Sequence, residues 1–307
     1  MKKDAQPPKH FQSLTEALRD MGLSAPQHPL ICVVNSAKMA TPPLLAGRTH
    51  VLSFYKISYK PRLGRKIRYG QGHYDFDEGG LLFAAPGQVI GGSDDGDGEV
   101  CSLYTLLIHP DFLRSYPLGK KIKQYGFFSY SVNEALHMSE SEKEKAIGIF
   151  NAIEEELNSR IDDLSQDVII AQTELLLTYA ERFYKRQFIT RKVINNDLLE
   201  QMETLLDKYF ADEEALGKGI PTVQYVANEL HLSPSYLSDM LRALTGQSAL
   251  QHIHDKVIEK AKEQLSTTEL SVSEIAYALG FEHPQSFSRM FKARTELSPV
   301  EFRKTFN

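Results

Sequence analysis

Apolar residues recur at a helical spacing in the last third of the chain, from Thr222 to Phe306. The first stripe consists of Val223, Val226, Ala227 and Leu230, which would share one face of a helix. Ser233 and Pro234 follow, and both residue types are typical of a helix start. A second stripe then consists of Leu237, Met240, Leu241 and Leu244. The pattern predicts two short helices joined by a tight turn.

The same pattern occurs again about 50 residues later. Its apolar residues are Ile275, Ala276, Leu279 and Phe281 before the turn, and Phe287, Met290 and Phe291 after it. The offset is 49 residues before the turn and 50 after it, so the second turn holds one extra residue. Ser271 and Glu274 form a capping box at the start of this copy. We therefore predict two helix-turn-helix units, at 222–246 and 271–296, a motif that places its second helix in the DNA major groove.

The polar face of each second helix supplies the candidate DNA-binding residues. They are Ser235, Ser238, Asp239 and Arg242 in the first unit, and His283, Gln285, Ser286, Arg289 and Lys292 in the second. The alternative interpretation is a solvated helix face without a ligand. Arg289 can read guanine through two hydrogen bonds or hold a phosphate. Asp239 is repelled by phosphate but can accept a hydrogen bond from cytosine N4.

Further capping boxes continue the repeat after each unit. Ser248 pairs with Gln251, and Ser298 pairs with Glu301. Between the two units, one helix of about 18 residues and about 27 Å is predicted from the stripe Leu250, Ile253, Val257, Ala261 and Leu265. A helix of this length is suited to hold two reading helices about one DNA turn apart.

The N-terminal half has a different pattern, in which short apolar or alternating runs are separated by Gly and Pro. The predicted strands are Leu30 to Val34, Val51 to Tyr59, Ile67 to Tyr69, Gly80 to Ala84 and Val100 to Ile108. This pattern of many short strands separated by Gly and Pro turns favours an antiparallel sandwich or a small barrel. From about 139 to 187 the helical period returns and predicts two antiparallel helices, followed by a linker from Arg186 to Asn196.

The C-terminal motifs resemble those of a known family. The segments Gly280 to Lys292 and Leu297 to Arg303, together with the two units on one linking helix, resemble the DNA-binding domain of the AraC family of bacterial transcription regulators. Asp239 departs from the family pattern, because many members carry a neutral or basic residue there. The resemblance implies a multidomain α+β protein with a cupin-like β-barrel and helical hairpin in a sensing and dimerisation domain, 1–190, and an all-α DNA-binding domain, 191–307.

The resemblance also implies functions for the N-terminal domain. The helical hairpin would form a homodimer through the stripe Phe150, Ile153, Leu157 and Ile161; alternatively, it only covers an open face of the barrel. The barrel would enclose a small-molecule effector, with possible lining by Phe54, Tyr55, Tyr69, Phe83 and Tyr104. The implied function is an activator that contacts promoter DNA and RNA polymerase, and repression stays open. Neither the effector nor the operator can be read from the sequence.

Composition and charge modify this interpretation only slightly. The 307 residues are 42% hydrophobic and 24% charged, as is typical of a soluble globular protein. The net charge is −5, and from Asp197 onward 17 acidic residues outnumber 11 basic ones, which lowers the expected non-specific affinity for DNA. Five basic residues counter this near the C-terminus: Arg289, Lys292, Arg294, Arg303 and Lys304. Another basic run, from Lys56 to Arg68, indicates a solvated edge strand or an anion site.

Cysteine and histidine usage bears on cofactors and location. Cys32 and Cys101 are the only cysteines, and two reduced thiols fit a cytoplasmic protein better than a disulfide does. No apolar run approaches 18 residues, and the N-terminus lacks the apolar core of a signal peptide. Metal cupins use a His-x-His motif, which is absent here. We therefore expect no catalytic residues, metal or cofactor, and a cupin-type enzyme carrying a DNA-binding domain is the alternative function.

Overall fold

The computed structural model describes residues 8–39, 50–61, 67–69, 72–74, 79–90, 102–131, 134–160, 162–212, 217 and 219–306. Two compact units divide the chain, Met1–Gln187 and Phe188–Asn307. Cys101 lies outside the described residues.

The strands of the first unit fall into three sheets. They are β1 (Lys9–Phe11), β2 (Ile31–Asn35), β3 (His50–Leu52), β4 (Tyr55–Lys60), β5 (Ile67–Tyr69), β6 (Gly72–Tyr74), β7 (Gly80–Ala84), β8 (Val89–Ile90), β9 (Tyr104–Ile108) and β10 (Leu136–His137). The largest sheet has five strands in the order β10-β7-β4-β9-β2, and all its neighbours are antiparallel. A second sheet has the order β1-β3-β8, and β5 pairs with β6.

Among the described strands there is no closed barrel, which corrects the barrel expected for this half. The five-stranded sheet is open, because its edge strands β10 and β2 do not pair with each other. The alternation of apolar residues is the same in an open sheet and a barrel, so it cannot decide closure. The edge-strand interpretation of the basic run is wrong for Lys56 and Lys60, since they lie on β4, at the centre of the sheet between β7 and β9.

The helices of the first unit cover both faces of this sheet. They are α1 (Leu14–Asp20), α2 (Pro110–Leu113), α3 (Leu118–Lys121), α4 (Glu140–Asn158) and α5 (Ser165–Thr190), of which α5 continues into the second unit. On one face, Leu14 of α1 belongs to a buried cluster with Phe54, Cys32 and Leu107. On the other face, α4 packs against β2 and β9. The sheet is therefore the middle layer of the unit, with helices packed on both of its faces.

The aromatic residues expected to line an effector cavity are buried where the structure describes their side chains. Phe54 is fully buried, and Tyr55, Phe83 and Tyr104 are each less than 10% exposed. Phe83 lies against the rings of Phe127 and Phe128, at centroid distances of 4.5 and 5.4 Å. These four residues are therefore buried in the first unit, and their role in lining an effector cavity stays a prediction. The side chain of Tyr69 lies outside the described part of the structure.

The apolar stripe assigned to a dimer interface is likewise part of the protomer core. Phe150 and Ile153 of α4 are fully buried, and the Phe150 ring stacks on Tyr104 at 5.5 Å. Leu157 is half-buried, and Ile161 lies outside the described residues. A helical stripe indicates that a face is buried but not by what, and here the sheet buries it. The alternative stated above, that the hairpin covers the sheet, holds for these residues of α4.

The second unit consists of helices. They are α6 (Lys192–Ala211), α7 (Val223–Glu229), α8 (Pro234–Thr245), α9 (Ala249–Thr267), α10 (Val272–Ala278), α11 (Pro284–Thr295) and α12 (Pro299–Arg303). The predicted linker 186–196 is helical on both sides of Arg191, and the boundary between the two units lies within it. The linking helix α9 has 19 residues and begins at the capping box of Ser248 and Gln251.

The core of the second unit joins the linking helix to the second helix-turn-helix. Val257, Ala261 and Leu265 of α9 form one cluster with buried residues of α10 and α11, among them Ile275, Phe287 and Phe291. Among the described helices, none has both the length and the apolar composition needed to cross a bilayer.

Candidate nucleic-acid interface

The first helix-turn-helix consists of α7 and α8. The hydroxyl of Thr222 accepts a hydrogen bond from Tyr225 N at 3.1 Å, and Ser233 caps α8 by accepting one from Tyr236 N at 3.3 Å. Four apolar side chains of α8 are buried: Tyr236, Leu237, Met240 and Leu241. On its other face Ser235, Ser238 and Asp239 are half-buried, and Arg242 is exposed. The candidate residues of this unit therefore share the accessible side of α8.

The second helix-turn-helix consists of α10 and α11. Ser271 and Glu274 form the predicted capping box at the start of α10. Phe287 and Phe291 of α11 are fully buried and Met290 is half-buried, so the helix is fixed by its apolar stripe. The five candidate residues are all exposed: His283, Gln285, Ser286, Arg289 and Lys292. The extra residue of this unit lengthens the turn, and His283 at the N-cap makes no side-chain capping bond, unlike Ser233.

The two second helices differ in electrostatic character. In α8, Arg242 Nη1 donates to Asp239 Oδ1 at 2.9 Å, so one positive and one negative charge compensate each other. In α11, the side chains of Arg289 and Lys292 form no ion pair or hydrogen bond with the described residues. The face of α11 therefore offers an anionic ligand two positively charged side chains that are not held in an ion pair. The spacing of Asp239 and Arg242, three residues apart on a helix, is the sequence signal from which their pairing follows.

The C-terminal group of basic residues is smaller than its sequence count indicates. Arg294 forms an ion pair with Asp255 of α9. Arg303 donates to the carbonyl oxygens of Leu265 and Leu270, at 3.3 and 2.6 Å, and so holds the end of α9. These two guanidinium groups stabilise the unit, which corrects their assignment to a patch that neutralises phosphates. Arg289, Lys292 and Lys304 are exposed members of the group whose side chains form no ion pair or hydrogen bond with the described residues.

Two histidines of the linking helix add no positive charge at neutral pH. Burial lowers the pKa of His252 and the pKa of His254 below the ordinary value, and the charge of Arg294 lowers the pKa of His254 further. The Nε2 of His252 lies 2.8 Å from the hydroxyl of Thr245, the last residue of α8. This contact joins the first unit to the linking helix and has no counterpart in the sequence analysis.

Outside this face the described residues offer few reactive groups. Burial raises the pKa of the Cys32 thiol to about 12, which leaves it protonated and unreactive. Within the described part of the chain, no three His, Cys, Asp or Glu side chains are grouped so that they could hold a metal ion.

Comparisons with known proteins agree with the geometry of the second unit. A family model described as a helix-turn-helix domain matches residues 226–305. The arabinose operon regulatory protein of Salmonella typhimurium is 36% identical over 114 residues, which are 36% of this chain and 40% of that protein. The HTH-type transcriptional activator RhaS of Salmonella schwarzengrund is 28% identical over 149 residues, which are 48% of this chain and 51% of that protein.

Among solved structures, the C-terminal domain of the response regulator yesN from Fusobacterium nucleatum is 30% identical. The matched region covers 35% of this chain and 98% of the chain in that structure, with a TM-score of 0.31. The chain spans about half or less of the length of the two curated relatives described above.

Proposed function

We propose that the C-terminal domain of this chain is of the AraC type, and that the protein is a sequence-specific, DNA-binding regulator of transcription; the match of residues 226–305 to a helix-turn-helix domain and the similarity to two regulatory proteins support this. The observation that carries the proposal is the division of α11 into two faces. Phe287 and Phe291 are fully buried, while Gln285, Arg289 and Lys292 are exposed. A helix held by its apolar side with free polar and basic side chains is suited to the major groove.

Arg289 and Lys292 have separate roles in this proposal. Arg289 reads a base, because its planar guanidinium can donate two hydrogen bonds to guanine O6 and N7. Lys292 holds a phosphate as a point charge, near the end of the helix. Both side chains point away from the buried phenylalanines, so neither is needed for folding.

Removal of these side chains from the full chain tests the proposal. Selection of binding sites from random DNA first gives a preferred sequence. Arg289→Ala should then weaken binding to that sequence by about 1–3 kcal/mol and affect random DNA much less. Lys292→Ala should weaken binding to all sequences similarly and reduce the slope of log K against log salt by about one unit.

The matched control is Lys208→Ala, which removes one exposed positive charge from α6, outside both recognition helices. Binding is measured by fluorescence anisotropy at several salt concentrations. Wild-type affinity of Arg289→Ala for the selected site would rule out α11 as a helix that reads the groove.

The N-terminal unit is proposed to sense a small-molecule effector. Besides the aromatic candidates, polar groups on β4 and β9 could contact such a ligand. There Ser58 Oγ lies 3.1 Å from Thr105 Oγ1, and Lys56 is half-buried on the same side of the sheet. Such a group gives a ligand hydrogen-bonding partners beside apolar surface. A panel of sugars and organic acids that leaves the melting temperature and DNA affinity of the full chain unchanged would count against this role.

Activation through contact with RNA polymerase, in the cytoplasm of a bacterium, completes the proposal. The relative RhaS is described as a transcriptional activator, which supports activation over repression. A reporter gene with the selected site upstream of a weak promoter tests this point. Expression should rise above the basal level, measured without the protein, when the wild-type chain is present, and should return to it with Arg289→Ala. A wild-type chain that lowers expression below the basal level would be a repressor.

A homodimer is proposed to form through α5 and not through the buried stripe of α4. Exposed apolar side chains on one side of α5 and just before it are Leu164, Val168 and Leu175, which are 65%, 38% and 46% exposed. Their spacing of four and seven residues places them on one helical face, to which Ala171 also belongs. A second copy of the same face would bury them.

A further inference from the structure

The first recognition helix, α8, presents an ion pair where α11 presents two basic side chains, Arg289 and Lys292, that form no ion pair with the described residues. Asp239 and Arg242 are joined by the 2.9 Å contact between Oδ1 and Nη1. Their side chains stay accessible, at 32% for Asp239 and 57% for Arg242. The pair is therefore located on the face of α8 that the proposed function turns towards DNA.

A carboxylate on this face must have a specific partner or it weakens binding. The phosphates of both DNA strands repel it, and the major groove contains two kinds of hydrogen-bond donor for it, cytosine N4 and adenine N6. Adenine presents its N7 acceptor beside N6, which suits an amide better than a carboxylate. Cytosine presents its amino group without this neighbouring acceptor. Among the four bases, Asp239 therefore matches cytosine best.

The ion pair also fixes what Arg242 can do. A guanidinium held by a neighbouring carboxylate is ordered before binding and keeps N–H groups for a further acceptor. Residues three apart on a helix differ by about 4.5 Å along the axis, which is close to the rise of about 3.4 Å between base pairs. The two side chains can thus reach the same or adjacent base pairs, where Arg242 matches guanine O6 and N7.

We infer that Asp239 and Arg242 act as one specificity element that selects a cytosine together with a guanine in the same or the neighbouring base pair. This inference depends on the proposed function and assigns different roles to the two units. The first unit discriminates between sequences and contributes little to non-specific affinity, because the Asp239–Arg242 pair on its DNA-facing side carries no net charge. The second unit, with Arg289 and Lys292, supplies most of the attraction to phosphates.

Two substitutions of Asp239 in the full chain test the inference by site selection and by competition with random DNA. Asp239→Ala removes the acceptor and the repulsion. Its preference for the selected cytosine should fall by about fivefold to a hundredfold, while its affinity for random DNA should rise. Asp239→Asn retains the shape but introduces an amide, so its preferred base should change from cytosine to adenine, which amides bind through N6 and N7.

The matched control is Glu269→Ala, which removes an exposed carboxylate between α9 and α10. It should leave every base preference unchanged. Circular dichroism verifies that each variant is folded. If Asp239→Ala does not fold, the test relies on Asp239→Asn, which conserves the size of the side chain. Unchanged base preferences in both Asp239 variants, or an equal loss of affinity on all sequences, would overturn the inference and leave DNA binding intact. A wild-type chain that enriches no sequence would overturn the proposed function as well.

Discussion

Each helix-turn-helix unit has two residues with a left-handed backbone, one in the turn and one at the end of the second helix. In each unit one of the two is glycine, but at the opposite position. In the turn, His231 has φ 57° and the equivalent Gly280 has φ 85°. At the end of the second helix, Gly246 has φ 79° and the equivalent Glu296 has φ 65°. The backbone conformation is therefore shared, and a further constraint must decide where glycine is required.

Close packing supplies that constraint at Gly280. A Cβ atom there would lie 2.8 Å from Gly219 C and 3.0 Å from Ile220 N, which are backbone atoms that cannot move aside easily. Tyr209 holds the same segment by donating its hydroxyl hydrogen to Gly219 O at 2.8 Å. The turn of the second unit thus packs directly on the segment before the first unit.

A pair of opposite substitutions tests this explanation. Gly280→Ala should destabilise the C-terminal unit by at least about 2 kcal/mol, since it combines the left-handed strain with the clash. His231→Gly should stabilise the unit by about 0.5–1 kcal/mol, because it removes only the strain at an exposed position. Urea unfolding followed by circular dichroism measures both. Equal effects of Gly280→Ala and of Gly246→Ala, which has no atom within 4 Å of its Cβ position, would exclude the role of packing.

At the scale of elements, the parts that were predictable are those controlled by local sequence. The capping boxes at Ser248, Ser271 and Ser298 are formed as predicted, because each depends on residues three apart. The apolar faces of α8 and α11 follow from the helical period in the same way. The closure of the sheet and the partner of Phe150 depend on residues far apart in sequence, and periodicity carries no information about them.

The same reason explains which parts of the candidate site could be predicted. The exposed face of α11 is the complement of its apolar stripe, so Arg289 and Lys292 could be placed from the sequence. The engagement of Arg294 by Asp255 joins two helices, and a count of charges cannot reveal it. The ion pair of Asp239 and Arg242 lies between these cases, since its local spacing permits the contact without requiring it.

The capping boxes also predict how stability depends on pH. Hydrogen bonds from the side chain and backbone N–H of Ser271 lower the pKa of Glu274 below its ordinary 4.5, and Ser298 does the same for the pKa of Glu301. A carboxylate with a lowered pKa in the folded state stabilises the fold at neutral pH. This contribution is lost as the pH falls through the lowered pKa.

The double variant Glu274→Gln and Glu301→Gln should therefore lose less stability than the wild type between pH 5 and about pH 3. Glutamine retains the capping geometry, so the fold is conserved. The urea midpoint is measured at each pH, and its slope against pH shows how fast stability is lost on acidification. The control Glu269→Gln changes an exposed carboxylate outside any capping box and should keep the wild-type slope. A double variant with the wild-type slope would contradict the contribution of the boxes.

At the scale of the whole molecule, the distribution of charge matters more than its sum. The chain carries a net charge of −5, yet α11 presents the exposed basic side chains of Arg289 and Lys292. With few phosphate contacts per chain, a single copy has modest affinity at physiological salt. Two linked copies bind two half-sites, and the second contact becomes intramolecular, which raises the overall affinity strongly. The proposed homodimer therefore has a functional reason besides the exposed face of α5.

Substitutions on the two helices of the N-terminal unit separate dimerisation from folding. Leu175→Glu places a charge on the exposed face of α5 and should give a folded monomer. Phe150→Glu buries a charge beside Tyr104 in the core of the unit and should unfold it, because an unpaired buried charge is very costly. Sedimentation measures the mass, and near-UV circular dichroism reports the packing of the aromatic core.

The control for the added charge is Gln201→Glu, at an exposed position on α6. It should remain a dimer with wild-type binding to a site that contains two half-sites. The Leu175→Glu monomer should bind that site about a hundredfold more weakly, since it loses the intramolecular second contact, while its affinity for one half-site stays the same. A Leu175→Glu chain that remains dimeric, or a wild-type chain that is monomeric at micromolar concentration, would exclude α5 as the interface.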